Sequence, residues 1–205
     1  SYATSTAFQL WVDMHRAVLN VDPGASPETV AALRKQIRSA GAEGRVTARV
    51  FDGRHLPYSD NMVNLLVASR LDQVDMSEVM RVLAPNGIAY IRQDGEWTKR
   101  IKPWPGEIDE WTHFLHEPDN NAVAADSLVG PPRYLKWTGG PKYSRNHEID
   151  SSVSAMVSAA GRIFYILDEG PTSQIHRQPR WRLVARDAFN GVPLWKRKID
   201  SWVTH

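Results

Sequence analysis

The sequence predicts an α/β segment followed by a four-stranded antiparallel sheet, and three observations predict it. Over the first part of the chain, apolar runs alternate with helical patterns. From Asp94 to about Lys142 a stretch rich in Pro, Gly and aromatic residues breaks all periodicity. After it, the hydrophobic period drops to two. The expected division is 1–93, 94–142 and 143–205.

Each element follows from local chemistry. AFQLWVDMH places apolar residues at helical spacing. RAVLNVD is a short apolar run ending at Asp22 and closed by Pro23 and Gly24, the pattern of a buried strand. SPETVAALRKQIRSAG predicts a helix: Ser26 caps it, Pro27 takes the first position, Val30, Leu33 and Ile37 form the buried stripe, and Gly41 ends it. RVTARVFDG predicts a second strand ending at Asp52. MVNLLVAS predicts a third, apolar almost throughout as a strand covered on both faces should be. MSEVMRVLAPNG predicts a helix stopped by Pro85 and Gly87, and IAYIRQ a fourth strand. Strands alternating with helices point to a parallel sheet with right-handed crossovers. The aromatic residues of 94–142 make that stretch too apolar for a disordered linker and predict an ordered, extended connector. SSVSAMVSA, GRIFYILD, WRLVARDA and PLWKRKI then read as four strands joined by Gly, Pro and Asn turns, a meander of the kind from which propellers are built.

Composition narrows the function. The 205 residues include 25 Lys and Arg against 23 Asp and Glu, interspersed and without a basic block, which argues against a nucleic-acid surface. The absence of cysteine excludes disulfides, thiolate catalysis and cysteine-based zinc sites. No apolar run approaches the roughly 20 residues of a membrane span. SYATSTAFQLW lacks an initiator Met and a signal peptide's charged start, so the chain is expected to be an internal piece of a longer one.

Two carboxylates are candidate ligand-binding groups. In open parallel sheets ligands bind beyond the carboxyl ends of the strands. An acid ending a strand can accept hydrogen bonds from both hydroxyls of a ribose, and a second carboxylate at the next strand's end could meet an adenine amino group. Asp22 and Asp52 stand at such positions. Either could equally cap a helix or turn.

LNVDPGASPETVAALRKQIRSAG, RVFDGRHLPYSDNMVNLLVA and EVMRVLAPNGIAYI together resemble the central part of class I S-adenosylmethionine-dependent methyltransferases. The resemblance implies a partial Rossmann-like methyltransferase fold over residues 1–93. In that family the acid ending the second strand binds the cofactor ribose, and Asp22 occupies the matching place. The acid after the third strand lies near the adenine, and Asp52, followed by Gly53, matches it. The implied cofactor is S-adenosylmethionine; no catalytic residue is implied. The family's first strand and its Gly-rich loop, E/D-x-G-x-G-x-G, have no counterpart before Asp22. That loop lets the backbone approach the methionine end of the cofactor, so weak binding at most is expected.

Ala185, Asp187, Gly191 and Trp195 fit A-x-D-x-x-x-G-x-x-x-W and resemble the tryptophan-docking repeat of pyrroloquinoline-quinone (PQQ)-type propellers. The resemblance implies that residues 143–205 are a four-stranded antiparallel β-propeller blade, with Asn190-Gly191 turning the chain and Trp195 packing between blades. Such repeats occur in quinoprotein dehydrogenases and in propellers without cofactor, and a bound PQQ would need a complete propeller. The two halves together resemble large bacterial proteins, abundant in planctomycetes and typically exported, that join a methyltransferase-like segment to a PQQ-like propeller. A periplasmic or exported location follows from that resemblance. The implied partners are the rest of a longer polypeptide or a second copy meeting the open blade. A non-catalytic binding or scaffolding protein is the alternative, and a quinoprotein oxidoreductase a third.

His113 and His116 form H-x-x-H, with His147 and Glu148 further on. On a helix such a pair could share a metal. The surrounding Pro, Asp and Asn argue against a helix, and no third ligand is placed, so the pair reads as a polar anchor of the connector and no metal is expected. Nor is there a nucleophile elbow or a Walker-type loop.

Overall fold

A computed structural model of the chain describes residues 9–13, 16–21, 25–71, 73–128, 130, 134–140, 153–171 and 178–200. The chain divides into two compact units, Ser1–Trp104 and Pro105–His205.

The first unit has mixed α/β content around a six-stranded sheet whose strands, from edge to edge, are β3 (Val46–Thr47), β1 (Gln9–Asp13), β2 (Arg16–Val21), β4 (Val63–Ala68), β5 (Leu83–Gln93) and β6 (Glu96–Ile101). Its parallel centre comprises β2 (Arg16–Val21), β4 (Val63–Ala68) and β5 (Leu83–Gln93), with Val18 opposite Leu65 and Leu65 opposite Ile88. Helix α1 (Pro27–Ser39) lies in the connection from β2 towards β4, and α2 (Met76–Val82) in that from β4 to β5.

The α1 boundaries match its sequence signals. The Ser26 hydroxyl accepts from the Thr29 amide at 3.2 Å, and Pro27 opens the helix. At the far end, Gly41 has φ 60°, the Gly41 amide donates to the Arg38 carbonyl and the Ala42 amide donates to that of Ile37, each at 3.0 Å. This paired closure requires a left-handed residue after the cap, which glycine adopts without steric cost. Val30 and Ile37 are buried and pack with Val46 and Ala48. A second core, including Leu56, Val63, Leu66, Val79, Leu83 and Ile91, lies beneath α2.

Four local expectations are corrected. AFQLWVDMH is not helical where described: Gln9–Asp13 is strand β1, antiparallel to β2, with Asp13 opposite Arg16. The apolar run is too short to distinguish the two periods, and pairing with the adjacent strand decides. The strand expected to end at Asp52 is only β3 (Val46–Thr47), paired with β1. Its extension stops where the Ala48 carbonyl accepts from Arg34 Nε at 2.9 Å, outside any ladder. Helix α2 ends at Val82 and β5 begins at Leu83, earlier than Pro85 and Gly87 predict. Pro85 pushes Ala84, the residue before it, out of the helical region, and the chain is extended one residue earlier still, with Leu83 at φ −65°, ψ 135°. Finally, regular structure runs past Asp94. Asp94 (φ 50°) and Gly95 (φ 88°) make a two-residue left-handed turn into β6 (Glu96–Ile101), antiparallel to β5.

The second unit contains the four expected strands: β7 (Val153–Ala159), β8 (Arg162–Asp168), β9 (Trp181–Asp187) and β10 (Pro193–Lys198). They form an antiparallel meander of order β10-β9-β8-β7. At the β7 edge, the Ser158 amide donates to the Trp111 carbonyl at 2.7 Å and the Trp111 amide donates to Ser158 Oγ at 3.0 Å. Glu110 Oε1 accepts from the Ala160 amide at 2.6 Å. An unpaired strand edge is a template for unwanted pairing, and residues 110–111 cover part of this one.

Candidate functional site

In the parallel centre, β2 ends at Val21, and Asp22 follows it outside the described residues. Asp52 and Gly53 are described, on the loop after β3. Asp52 Oδ1 accepts from the backbone amides of Arg54 (2.8 Å) and His55 (2.6 Å), and its Oδ2 lies 2.8 Å from His55 Nδ1. The His55 amide, the His55 ring and the Arg54 amide, in that order, stabilise the ionised form and hold this carboxyl well below the usual range. Its side chain is 57% exposed, so oxygen surface remains for a further donor. Gly53 has φ 83°, and nothing lies within 4 Å of where its Cβ would be. The glycine therefore serves the turn and leaves open space beside Asp52.

The loop is fastened to α2 by two residues three positions apart. Glu78 Oε1 accepts from the Leu56 amide at 2.7 Å. Both Glu78 oxygens accept from Arg81, Oε2 from Nε and Oε1 from Nη2, each at 2.7 Å. The same guanidinium donates to the carbonyls of Tyr58 (2.8 Å) and Leu56 (3.1 Å) and to Asp60 Oδ1 (2.7 Å). Arg81 holds the Glu78 carboxyl below its ordinary value, and Glu78 first and Asp60 next push the guanidinium up. Burial pushes the Tyr58 phenol up to about 12. The planar fork of arginine suits this role, because one rigid group meets two carboxylates and two carbonyls.

Chemically, this site can present one ionised, partly exposed carboxylate on a rigid loop, with an imidazole beside it. That suits hydrogen bonding to hydroxyl or amino groups. The sequence singled out Asp52 and Gly53 and missed His55, Glu78 and Arg81. The i, i+3 spacing of Glu78 and Arg81 on a helix was the available signal.

In the second unit, His113 and His116 are not on a helix. They form a two-residue antiparallel bridge with reciprocal amide bonds of 3.1 and 3.2 Å, and His116 has φ 75°. His116 is buried, and its Nε2 lies 2.6 Å from Asp109 Oδ2. The Trp111 ring meets the imidazole edge to face at 5.1 Å. Asp109 also accepts from the amides of Ala125 and Glu110; the Ala125 amide and then His116 hold its carboxyl below the usual range. His113 Nδ1 is 2.9 Å from Thr112 Oγ1. His147 and Glu148 lie outside the described residues, among which no group of three or more metal-ligating side chains converges.

The residues of the repeat pattern converge on the β9–β10 turn. Asp187 Oδ1 accepts from the Phe189 and Asn190 amides at 2.8 and 3.2 Å, and its backbone amide donates to the Val192 carbonyl at 3.0 Å. Ala185 is fully buried. Trp195 faces Phe164 at 6.0 Å, with the Arg197 guanidinium 5.2 Å from its ring centre. Among the described residues no helix is long and apolar enough to cross a membrane.

No protein-family model and no curated protein matches the chain. Among solved structures, the crystal structure of the [4+2]-cyclase SpnF is similar at 30% identity, over 34% of this chain and 30% of that one, with a TM-score of 0.30. The chain thus matches less than a third of that structure's length, and a superposition this loose carries no argument about fold or chemistry.

Proposed function

We propose that the first unit is an S-adenosylmethionine-dependent methyltransferase-like fold, that the second is a PQQ-like propeller blade, and that this chain does not itself transfer methyl groups. The first two parts follow the sequence resemblance, and the observation that carries the third, the inactivity, is the parallel β2–β4 pairing. In the doubly wound order 3-2-1-4-5-6, the strand between the second and the fourth leads into the Gly-rich turn that receives the ligand's charged part. If β2, β4 and β5 are the second, fourth and fifth strands of that order, direct bonding of β2 to β4 leaves no slot for the first. The fit to the cofactor is therefore divided. Asp52 is accessible for the adenine end, as the resemblance implies. No described backbone cradle stands where the methionine end would lie, so no catalytic step is assigned.

Calorimetry with S-adenosylmethionine tests this. The expected dissociation constant is no tighter than about 1 mM, roughly −4 kcal/mol. Micromolar binding, lost in Asp52→Ala, would overturn the proposed inactivity and support the adenine assignment. Micromolar binding indifferent to that change would overturn both.

The alternative is a non-catalytic scaffold, and one observation favours it. Asp52 already accepts two backbone amides and pairs with His55, which is the work of a turn-capping residue. On either reading an exported location and a longer parent polypeptide remain proposals from the resemblance. A bound quinone is not part of the proposal.

A further inference from the structure

Strand β6 ends the sheet of the first unit, and its outer edge pairs with no other described strand. All its residues except Thr98 are exposed. The Lys102 amide donates to the Gly87 carbonyl and the Lys102 carbonyl accepts from the Asn86 amide, each at 2.9 Å. Bonded and non-bonded pairs alternate along an antiparallel ladder, so the peptide groups of Trp97, Lys99 and Ile101 turn away from β5. Such an edge is a template for another strand, and β6 carries neither a proline nor a bulge to prevent pairing. Residues 110–111 cover part of the β7 edge, whereas nothing comparable bonds to β6 among the described residues.

Charge decides which strand fits this edge. Glu96, Lys99 and Arg100 exclude partners that set like charges against them, but they match when the strand meets itself. A two-fold antiparallel pairing sets residues of the same face opposite each other, so partner numbers differ by an even number. Centred on Thr98, it places Glu96 opposite Arg100 twice, Trp97 opposite Lys99 twice, and Thr98 opposite Thr98. Opposite charges and paired threonines are favourable cross-strand neighbours, and an ammonium beside an indole gains cation–π attraction. Trp97 and Lys99 also have outward peptide groups, so each of those pairs can exchange two backbone hydrogen bonds. Trp97 is 53% exposed, which leaves apolar surface for the pairing to remove from water. Moving the centre to Lys99 sets that residue against itself, and moving it to Trp97 leaves Glu96 opposite Thr98.

We propose that β6 is a homodimerisation edge: it pairs antiparallel with β6 of a second copy of this chain about a two-fold axis at Thr98, joining two sheets into one. The contact uses the same surface on both copies and closes with two chains. It is carried by the β5–β6 geometry and the β6 sequence, and is independent of the methyltransferase reading.

Sedimentation velocity of the full chain over a concentration series should show the weight-average mass rising towards twice that of one chain. Glu96→Arg alone and Arg100→Glu alone should each hold the chain at the monomer mass, because each sets like charges opposite one another. Mixed in equal amounts, the two variants should dimerise, since each supplies the charge that the other's altered position needs. Thr98→Cys reads the register directly in this cysteine-free chain. A non-bonded pair stands about 4.5 Å apart at Cα, within disulfide reach, so oxidation should give a covalent dimer that reductant reverses. Lys99→Cys, two residues out of step with its own copy, should stay a thiol. A chain that is monomeric at every concentration overturns the proposal, as do single-charge variants that dimerise like the unsubstituted chain or fail to pair on mixing. Cross-linking of Lys99→Cys in place of Thr98→Cys overturns it too.

Discussion

Glu78 and Arg81 stand three residues apart on α2 and meet through both carboxylate oxygens, while Glu78 also accepts the Leu56 amide from the loop that carries Asp52. The pair thus does more than decorate a helix. Glu78→Ala leaves a backbone donor and part of a guanidinium without their acceptor, which should cost about 1–3 kcal/mol, read by denaturant unfolding. The pH dependence has a definite sign. A carboxyl depressed in the folded state from its ordinary 4.5 stabilises above that value, and the contribution is lost as pH falls through the lower folded value. Stability should therefore fall on acidification below about pH 4.5, and Glu78→Gln should flatten that limb. An unchanged acid limb would remove Glu78 from the account.

Gly87 is a second test of the same unit. A Cβ there would lie 2.6 Å from the Ala84 carbonyl oxygen and 3.0 Å from that of Val63, both backbone atoms that cannot swing aside. Gly87→Ala should destabilise by roughly 1–3 kcal/mol through forced backbone shifts. A thermal midpoint equal to that of the unsubstituted chain would mean that the β4–β5 approach is looser than described.

His116 should matter through Asp109 and not through a metal. His116→Ala removes the imidazole from a carboxylate at 2.6 Å and places alanine at φ 75°, so thermal unfolding should drop and Trp111 emission should change. His116→Asn should lose less, because asparagine tolerates the left-handed region. Elemental analysis of tag-free protein should show no stoichiometric metal. One equivalent of zinc, copper or iron that disappears with either His113 or His116 would overturn this.

Trp195 should be reached by a neutral quencher. At 37% exposure, with Phe164 and Arg197 beside its ring, its emission should fall with acrylamide relative to a Trp195→Phe control. Complete protection in a monodisperse monomer would show that another part of the chain covers this face.

Where several local signals agreed, the sequence was readable; where pairing decided, it was not. Ser26, Pro27, the Val30–Leu33–Ile37 stripe and Gly41 all marked α1, and each takes its expected role. The four strands of the second unit followed from period-two runs and turn residues. β1 was hidden because five residues cannot show a period, and its partner strand settles the conformation. β3 was overextended because nothing local reveals that Arg34, fourteen positions earlier, takes the Ala48 carbonyl. β6 was legible in principle from the Asp94-Gly95 dipeptide and the strand pattern after it, but neighbouring prolines masked the signal. Asp52 was found by its place after a strand, whereas its bonds to His55 required the folded loop.

The direct pairing of β2 with β4 is the claim on which the rest turns, and the cysteine-free sequence makes it simple to test. Val18 and Leu65 are register partners. Neighbouring strands lie about 4.8 Å apart, within disulfide reach, whereas an intervening strand would put the two positions about 9.6 Å apart and out of reach. Val18→Cys, Leu65→Cys should oxidise to an intramolecular disulfide, seen as a mass loss of about 2 Da and faster migration without reductant, while each single variant stays a free thiol. A double variant that remains reduced in a folded chain would place another strand between β2 and β4. It would reopen the slot for the cofactor's methionine end and contradict the account.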